Sequence, residues 1–337
     1  MPLTAIPFDP QKHLDAATAL LASRHKRDRT RDPRLPASFE NRSPCRAQIE
    51  NTLNATGWQG VLIKDGPEPA GFAIMAPQFF EATHMLANFF PARGASIAYG
   101  AHAVREGMEY DVYREIYGAL AGHFVQNGVF EHSINLPARN AAAIDAFNSM
   151  SFGRTMACAM RGVEPVARPA ASIEVHQASA EDYPVIEQLG EELTLHHARA
   201  PIFNPYIRES DEASHNFIKG LLDDADGNAH WIGYDNGKPL GMNTFMQPFF
   251  LSPMTVPDKT IYLFLGVVTQ DARMGGVGSA ILSQSVAWAR DKGYQHIALH
   301  FATANLSGAK FWQSSGFAPI EYGMRRRVDE RIAWANR

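Results

Sequence analysis

The sequence predicts an α/β protein made of two similar halves in tandem, each a mixed sheet with helices packed on it. Three observations support this prediction. The chain has 337 residues, which is enough for two domains of ordinary size. Strand and helix patterns are intermixed along the chain, as in domains whose helices cover a sheet. Two separate segments of the first half recur in the second half at nearly the same offset.

The recurring segments share both residues and spacing. Residues 140–153 parallel residues 305–318 at an offset of 165 residues: each begins with Asn, with an aromatic residue seven positions later and Phe twelve positions later. A strand–turn–strand pattern upstream also occurs twice, and its glycines, Gly71 and Gly241, are 170 residues apart. Two independent matches at similar offsets indicate an internal duplication.

A proline-bearing stretch separates the two halves. Residues 163–171 contain two prolines and precede a new strand pattern, which is typical of a linker. We therefore expect one domain at residues 1–165 and a second at residues 172–337.

The composition excludes several classes of protein. Hydrophobic residues make up 45% and charged residues 20% of the chain, as in ordinary globular proteins. There is no apolar run long enough for a membrane span and no signal-peptide pattern, so we expect a cytoplasmic protein without a membrane partner. The net charge of −4 is too small to indicate nucleic-acid binding, although a basic run at residues 24–34 is either a solvated loop or a contact for an anion. Cys45 and Cys158 lack metal or disulfide spacing, so no metal site is expected. We expect the chain to be a monomer or a homodimer.

The elements of the second half follow from its hydrophobic periodicity. The run at 260–268 is almost entirely apolar, as a buried central strand requires. The stretch 276–292 places Ile281, Val286 and Ala289 on one helical face. The remaining predicted strands are 173–176, 230–234, 240–247, 296–301 and two more between 317 and 328, and the remaining predicted helices are 181–197, 210–222 and 307–315.

A glycine-rich turn connects the apolar strand to the helix after it. Gly275, Gly276 and Gly278 stand where this helix would begin. Glycines allow the backbone to approach a ligand closely, and the first N–H groups of a helix are free to bind an anion. The turn is either an ordinary connection or a pyrophosphate site. A nicotinamide site is disfavoured, because the spacing is not GxGxxG and no acidic residue ends a strand about 20 residues later.

Two motifs of the second half resemble those of the GNAT superfamily of acyl-CoA-dependent N-acyltransferases. The sequence from Arg273 through Gly276 to Gly278 fits the pattern Arg/Gln-x-x-Gly-x-Gly/Ala, and Asn305 begins the second motif, which ends in Gly316-Phe317. The resemblance covers about residues 173–328 and implies two tandem domains of this fold, each a mixed, mostly antiparallel sheet flanked by helices.

The resemblance also implies an acetyl-CoA site. In such proteins the end of the central strand pairs with the pantetheine arm, the turn holds the pyrophosphate, and the last helix lines the far side. The implied coenzyme-binding residues are Gly266, Val267, Val268, Arg273, Met274, Gly275, Gly276, Val277, Gly278, Ser279, Asn305, Ser307 and Trp312.

The first half resembles the same fold but lacks the phosphate turn. Its corresponding stretch, about residues 98–119, contains no Arg-x-x-Gly-x-Gly. We therefore expect a degenerate copy that no longer binds coenzyme A. Its role would be that of a scaffold or of a wall to the acceptor pocket.

The catalytic groups are less evident than the coenzyme site. An acceptor amine must lose a proton before it attacks a thioester, and the central strand has no carboxylate. The candidates for a base are Tyr262, His300 and the pair His196–His197. The family's general acid is a Tyr, and Trp312 stands at that position; an indole N–H donates hydrogen bonds but is not a usable acid. The expected acceptor-binding residues are His196, His197, Arg199, Asn204 and Tyr206.

Three functions fit these observations. The first is an N-acetyltransferase that moves acetyl from acetyl-CoA to the amine of a small-molecule or peptide acceptor, by direct attack in a ternary complex. The second is an acyl-CoA-binding sensor without catalysis, which Trp312 would suit. The third is a tandem aminoacyl transferase that uses charged tRNA, for which the basic run at residues 24–34 is poor support.

Overall fold

The computed structural model describes residues 2–167, 170–224, 227–248 and 251–335. The described residues form one sheet of 13 strands with helices on both faces. This confirms the predicted α/β class with a mixed, mostly antiparallel sheet, because only two of the neighbouring strand pairs run parallel.

Strands and helices alternate in the same general order in the two halves. The first half contains β1 Leu3–Pro7, α1 Pro10–Arg31, α2 Arg42–Leu53, β2 Gln59–Asp65, β3 Glu68–Phe79, β4 Arg93–Ile97, β5 His102–Val104, α3 Glu109–Gln126, β6 Glu131–Pro137, α4 Ala141–Ser149 and β7 Gly153–Gly162. The second half contains β8 Glu174–Gln177, α5 Tyr183–Ala198, α6 Asp211–Asp223, β9 Ala229–Asp235, β10 Lys238–Met246, β11 Thr260–Val268, α7 Val277–Asp291, β12 His296–Ala302, α8 Leu306–Ser314, β13 Ala318–Arg327 and α9 Ile332–Ala335.

The duplicated Asn motif has the same local structure in both halves. The side chain of Asn140 accepts a hydrogen bond from the backbone N–H of Ala143 at 3.1 Å and caps α4. The side chain of Asn305 accepts one from the N–H of Gly308 at 3.0 Å and caps α8. The repeat therefore marks a helix start that follows a strand in each half.

The two halves exchange their last strands. The strand order is β1-β2-β3-β4-β6-β13-β7-β12-β11-β10-β9-β8, with β5 joined to β3. The final strand β13 lies between β6 and β7, and β7 pairs with β12 of the second half. Each half therefore completes the sheet of the other. The predicted division at residues 165 and 172 stays a prediction.

One element prediction is wrong. Residues 317–328 hold the single strand β13 rather than two strands. Its register against β7 shifts between Pro319 and Glu321 and again between Gly323 and Met324. These irregularities interrupt the alternation of side chains, so the sequence pattern is that of two short strands although the backbone continues.

The helices of the second half cover its sheet from two sides. Leu282 of α7 and Trp312 of α8 belong to one buried cluster. Ile186 of α5 and Leu221 of α6 belong to clusters that include Met242 and Tyr262 of the strands. We refer to these as the α7/α8 face and the α5/α6 face. Among the described residues, no helix is long and apolar enough to cross a membrane.

Candidate active site

The parallel strands β11 and β12 separate toward their carboxyl ends. They pair only as far as Leu263 and Leu299, yet β11 continues to Val268 and β12 to Ala302. The far edge of β11 remains paired with β10 along this length. Residues 264–266, in the middle of the sheet, are only half-buried. A wedge-shaped gap therefore leaves one edge of β11 open to a ligand that can pair as a strand does.

The turn after β11 presents free amide groups next to this gap. Gly276 caps α7 with a φ of 85°, a left-handed backbone that suits glycine, and has no side chain to bond the first amides of the helix. Within the described part of the chain, the backbone N–H groups of residues 274–279 have no hydrogen-bond acceptor. Met274 is 99% exposed. Free amides at the positive end of a helix dipole form an anion site.

Glu192 of α5 and Arg199, the residue after α5, hold this turn in place. Glu192 accepts a hydrogen bond from the backbone N–H of Gln270 at 2.8 Å. Arg199 donates to the side-chain oxygen of Gln270 at 3.2 Å. Arg273 donates back to the carbonyl of Val268 at 3.0 Å, so its Nε does not face outward. The backbone of the turn, more than the Arg273 guanidinium, is what an anionic ligand would meet.

His196 joins the two ends of the gap. Its Nδ1 lies 3.3 Å from Nη1 of Arg273, and its Nε2 lies 3.4 Å from Oδ1 of Asn305. Burial, and then the nearby Arg273 charge, lower the pKa of His196 below its ordinary value. A neutral ring that accepts at Nδ1 and donates at Nε2 fits both contacts. The structure thus brings one predicted acceptor residue together with two predicted coenzyme residues.

Trp312 packs against the backbone of the open strand. A Cβ on Gly266 would lie 2.8 Å from Cζ2 and Cη2 of the Trp312 ring, and a Cβ on Gly278 would lie 3.2 Å from the Phe311 ring. Both glycines therefore permit a close approach of α8 to the gap. Trp312 is 9% exposed, and its Nε1 donates no hydrogen bond among the described residues.

Tyr262 and His300 form a pair on the opposite face of the sheet. The Tyr262 hydroxyl lies 2.9 Å from Nδ1 of His300, and His300 follows the last paired residue of β12. Burial lowers the pKa of His300 to about 4 and raises the pKa of Tyr262 well above its ordinary value. Tyr262 packs on the α5/α6 face, whereas Trp312 packs on the α7/α8 face. The three residues predicted to be catalytic therefore do not form one cluster.

The other predicted acceptor residues mostly bond within the segment that follows α5. The carbonyl of His197 accepts the Asn204 N–H at 3.0 Å, and burial lowers the pKa of His197 to about 4. Tyr206 donates to Asp211 at 3.1 Å. Ser307 donates to Oδ1 of Asn305 at 3.1 Å and so reaches the end of the gap.

The first half has a corresponding gap, but side chains fill it. Its parallel pair β4 and β6 ends at Ile97 and Ile134. Beyond that point the His102 ring reaches the carbonyl of Asn135 at 2.9 Å. The buried Arg24 donates to the carbonyl of His102 at 2.7 Å and also to that of Tyr99. The basic run at residues 24–34 is therefore not a solvated loop. Most of it belongs to α1, and its Arg24 side chain is buried in the gap of the first half.

The sequence-based reasoning missed the residues that act between the halves. The side-chain oxygen of Asn88 accepts the Ile207 N–H at 2.6 Å, and its amide group donates to Ser210 at 3.0 Å. Arg325 of β13 donates to the carbonyl of Phe89 at 3.2 Å. No local pattern distinguishes these residues. Only the Arg-Arg-Arg run at 325–327 could have drawn attention to one of them.

Stability should fall when the pH drops below about 6.5. Burial holds the pKa of His230 and of His300 at about 4, against an ordinary value of 6.5. Between these two values the unfolded chain binds protons that the folded chain does not, so each histidine removes up to about 3 kcal/mol of stability across that window. Burial raises the pKa of Glu321 to about 7. This group opposes the loss of stability at low pH, because the stability that protonated Glu321 contributes is present at low pH and is lost as the pH rises through 7.

The measurement is the free energy of unfolding in urea at pH 7, 6 and 5. Replacing His230 by Asn should reduce the pH slope by about one proton. Replacing the exposed His123 by Asn is the control for the loss of a histidine elsewhere on the chain. Equal stability at pH 7 and pH 5 would contradict this prediction.

Comparison with known proteins agrees with this geometry. Residues 192–317 match the acetyltransferase (GNAT) family. Human N-acetyltransferase 8 is 29% identical over 91 residues, which are 27% of this chain and 39% of that protein, so the chain spans well under half of that relative.

Two solved structures are similar in fold. A GCN5-related N-acetyltransferase from Sphaerobacter thermophilus has a TM-score of 0.59 at 14% identity, and the match covers 96% of this chain and 95% of that one. A GCN5-related glucosamine N-acetyltransferase region of a fungal multi-domain GH3 β-N-acetylglucosaminidase has a TM-score of 0.53 at 11% identity, covering 96% and 38%. The second half of this chain therefore carries a region of the GNAT acetyltransferase family, and the chain folds like a GCN5-related N-acetyltransferase along almost its whole length.

Proposed function

We propose that this chain is an N-acetyltransferase that moves an acetyl group from acetyl-CoA to the amine of a small-molecule or peptide acceptor. The observation that carries the proposal is the position of the free amides of residues 274–279 directly beside the gap between β11 and β12. A strand edge next to an anion site suits a ligand with an extended amide-bearing arm and a diphosphate.

The residues around the gap fit coenzyme A. The free backbone edge of Gly266, Val267 and Val268 would take the pantetheine arm, and the turn from Arg273 to Ser279 would take the diphosphate. Gly276 is compatible with this because its left-handed backbone leaves no side chain over the amides. On the far side, Asn305, Ser307 and Trp312 would contact the arm.

Bound acetyl-CoA supplies an activated acyl group as a thioester. In direct transfer, the amine lone pair forms the new C–N bond, the C–S bond breaks, and coenzyme A leaves as a thiolate that takes up a proton. The amine must first be deprotonated, because ammonium has no lone pair. A thiolate is a tolerable leaving group, since the pKa of a thiol is only about 8.5.

We assign His300 to orient the amine by a hydrogen bond rather than to accept its proton as a general base. Burial holds the pKa of His300 at about 4, so the ring is neutral at physiological pH and can take a hydrogen bond, but it is a weak base. The proton then passes to water. Trp312 can stabilise the leaving sulfur only by hydrogen bonding, because its indole N–H does not ionise at this pH.

In this proposal only the second half binds the coenzyme. Arg24 and His102 occupy the place in the first half that corresponds to the open gap. Isothermal titration with acetyl-CoA should therefore give one site per chain. A stoichiometry of two would show that the first half also binds.

The test of the function is acetyl transfer to a panel of amines, followed both by radiolabelled product and by free thiol release. We expect thermal stabilisation by acetyl-CoA and labelled product with at least one amine. Stabilisation without transfer to any amine would overturn the catalytic proposal. The absence of stabilisation would overturn the coenzyme site as well.

A further inference from the structure

The His196 ring spans the gap between β11 and β12 from one wall to the other. Its Nδ1 lies 3.3 Å from the guanidinium of Arg273, which belongs to the turn after β11. Its Nε2 lies 3.4 Å from the side-chain oxygen of Asn305, which follows β12. Two hydrogen bonds and the width of one imidazole therefore separate the two walls. The ring links these walls at the carboxyl ends of the strands.

The ring reaches the gap from the α5/α6 face of the sheet. Helix α5 packs on that face through Ile186 and Leu189. Helix α8, which Asn305 caps, packs on the opposite face through Trp312. A ligand arm that pairs with the edge of β11 would therefore have α8 on one side and the His196 ring on the other.

The charged groups around the ring are mostly positive. Arg273 and Arg199 disfavour a positive charge on His196, and Glu192 favours one. The neighbouring His197 is neutral, since burial lowers its pKa to about 4. Burial, and then the Arg273 charge, lower the pKa of His196 below its ordinary value of 6.5. Without an anion beside it, the ring is therefore neutral at physiological pH.

An anion in the turn would reverse this balance. The free amides that we assign to the diphosphate begin at Met274, directly after Arg273. Because the Arg273 guanidinium contacts the His196 ring, an anion held at the next residue is close enough to act on the ring as well. A nearby negative charge favours the charged form of a histidine. The diphosphate should therefore stabilise the protonated ring.

Protonation would change the groups to which the ring can bond. The neutral ring accepts at Nδ1 from Arg273 and donates at Nε2 to Asn305, whereas an imidazolium donates at both nitrogens. The bond to Asn305 is kept, but Nδ1 can no longer accept from the guanidinium. Its new N–H requires another acceptor. A phosphate oxygen beside the two cations can accept from both.

We propose, building on the coenzyme site of the proposed function, that His196 is a coenzyme-binding residue whose ring closes the gap over the pantetheine arm and takes up one proton from solvent to donate a hydrogen bond to the diphosphate. Asn305 holds the ring before and after this change. His196 then belongs to the coenzyme site rather than to the acceptor site in which the sequence placed it. Because binding and protonation favour each other, the affinity for acetyl-CoA rises as the pH falls.

Nuclear magnetic resonance of the histidine rings tests the proton uptake directly. The His196 signal is identified by its loss in His196→Gln. In the free protein its pKa should lie below 6.5, and with saturating acetyl-CoA it should lie above about 7. A His196 pKa that stays the same or falls when acetyl-CoA binds would overturn the inference.

Isothermal titration at several pH values tests the effect on binding. Between pH 8 and pH 6 the affinity of the wild type for acetyl-CoA should increase at least about threefold more than that of His196→Gln. Titration of the coenzyme's own phosphates affects both proteins alike, so it cancels in this comparison. An equal increase in the two proteins would contradict the proposed role of His196.

His215→Gln is the matched control. His215 lies on α6 with 46% of its side chain exposed, and its Nδ1 is 3.2 Å from Glu187. Glu187 precedes His196 by more than two turns of α5, so this pair lies far from the diphosphate turn. The variant should keep the pH dependence of the wild type. A loss of that dependence in His215→Gln would overturn the assignment to His196.

These measurements require no acceptor, so they separate this inference from the catalytic proposal. Binding of acetyl-CoA without proton uptake by His196 would overturn the inference and leave acetyl transfer intact. Proton-coupled binding without transfer to any amine would support the role of His196 although the catalytic proposal had failed. The absence of acetyl-CoA binding would overturn both.

Discussion

Replacing Gly276 by glutamate should reduce the affinity for acetyl-CoA by at least about a hundredfold. Gly276 has a φ of 85°, which costs a side-chain-bearing residue about 1–2 kcal/mol. The new carboxylate would also stand at the free amides that we assign to the diphosphate, where like charges repel. The backbone strain lowers the stability of the fold, whereas the repulsion between the new carboxylate and the diphosphate lowers the affinity; a hundredfold loss of affinity corresponds to about 2.8 kcal/mol. Isothermal titration, with thermal shift as a second readout, measures this loss.

Gly293 offers a control on the same helix. It follows the other end of α7 with a φ of 86°, and a Cβ there would meet no atom within 4 Å. Gly293→Glu therefore introduces the same charge and similar backbone strain far from the turn. It should lower the melting temperature about as much as Gly276→Glu while keeping wild-type affinity. Unchanged affinity in Gly276→Glu would mean that the diphosphate lies elsewhere.

A chain that ends after Phe317 should fail to fold in either half. The removed strand β13 lies between β6 and β7 and pairs with both. Its loss would expose the edges of two central strands and uncover Met324, which belongs to the core of the first half. The penalty should exceed the whole stability of a typical domain, about 5–15 kcal/mol. Circular dichroism and urea unfolding would then show no cooperative transition.

A shorter truncation separates this effect from a general need for the C-terminus. A chain that ends after Arg331 keeps β13 and loses only α9, whose Trp334 is 66% exposed. This shorter form should unfold within about 1 kcal/mol of the wild type. If the first half of the chain ending at Phe317 still unfolded cooperatively, the exchange of last strands would contribute little to the stability of the fold.

The features that sequence analysis predicted correctly depend on neighbouring residues. The helix after Asn305 begins where its side chain can cap it, and the start of α7 follows from the glycines before Val277. In each case the structural cause lies within about ten residues of the feature. Periodicity and capping carry such information directly.

The features that were missed depend on residues far apart in the chain. Arg325 acquires its position because β13 inserts between β6 and β7, and nothing near Arg325 encodes that insertion. Tyr262 and Trp312 looked equivalent as catalytic candidates, because the sequence does not show that α8 packs on one face of the sheet while the Tyr262 side chain lies on the other.

The shared sheet also limits how this protein can move. A two-domain enzyme usually closes on its ligands by rotating one domain against the other about a flexible connection. Here β6, β13, β7 and β12 form consecutive ladders that bind both halves into one rigid body, so such a rotation would break backbone hydrogen bonds. Opening and closing must instead come from segments outside the ladders, chiefly the stretch between α5 and α6 that meets Asn88.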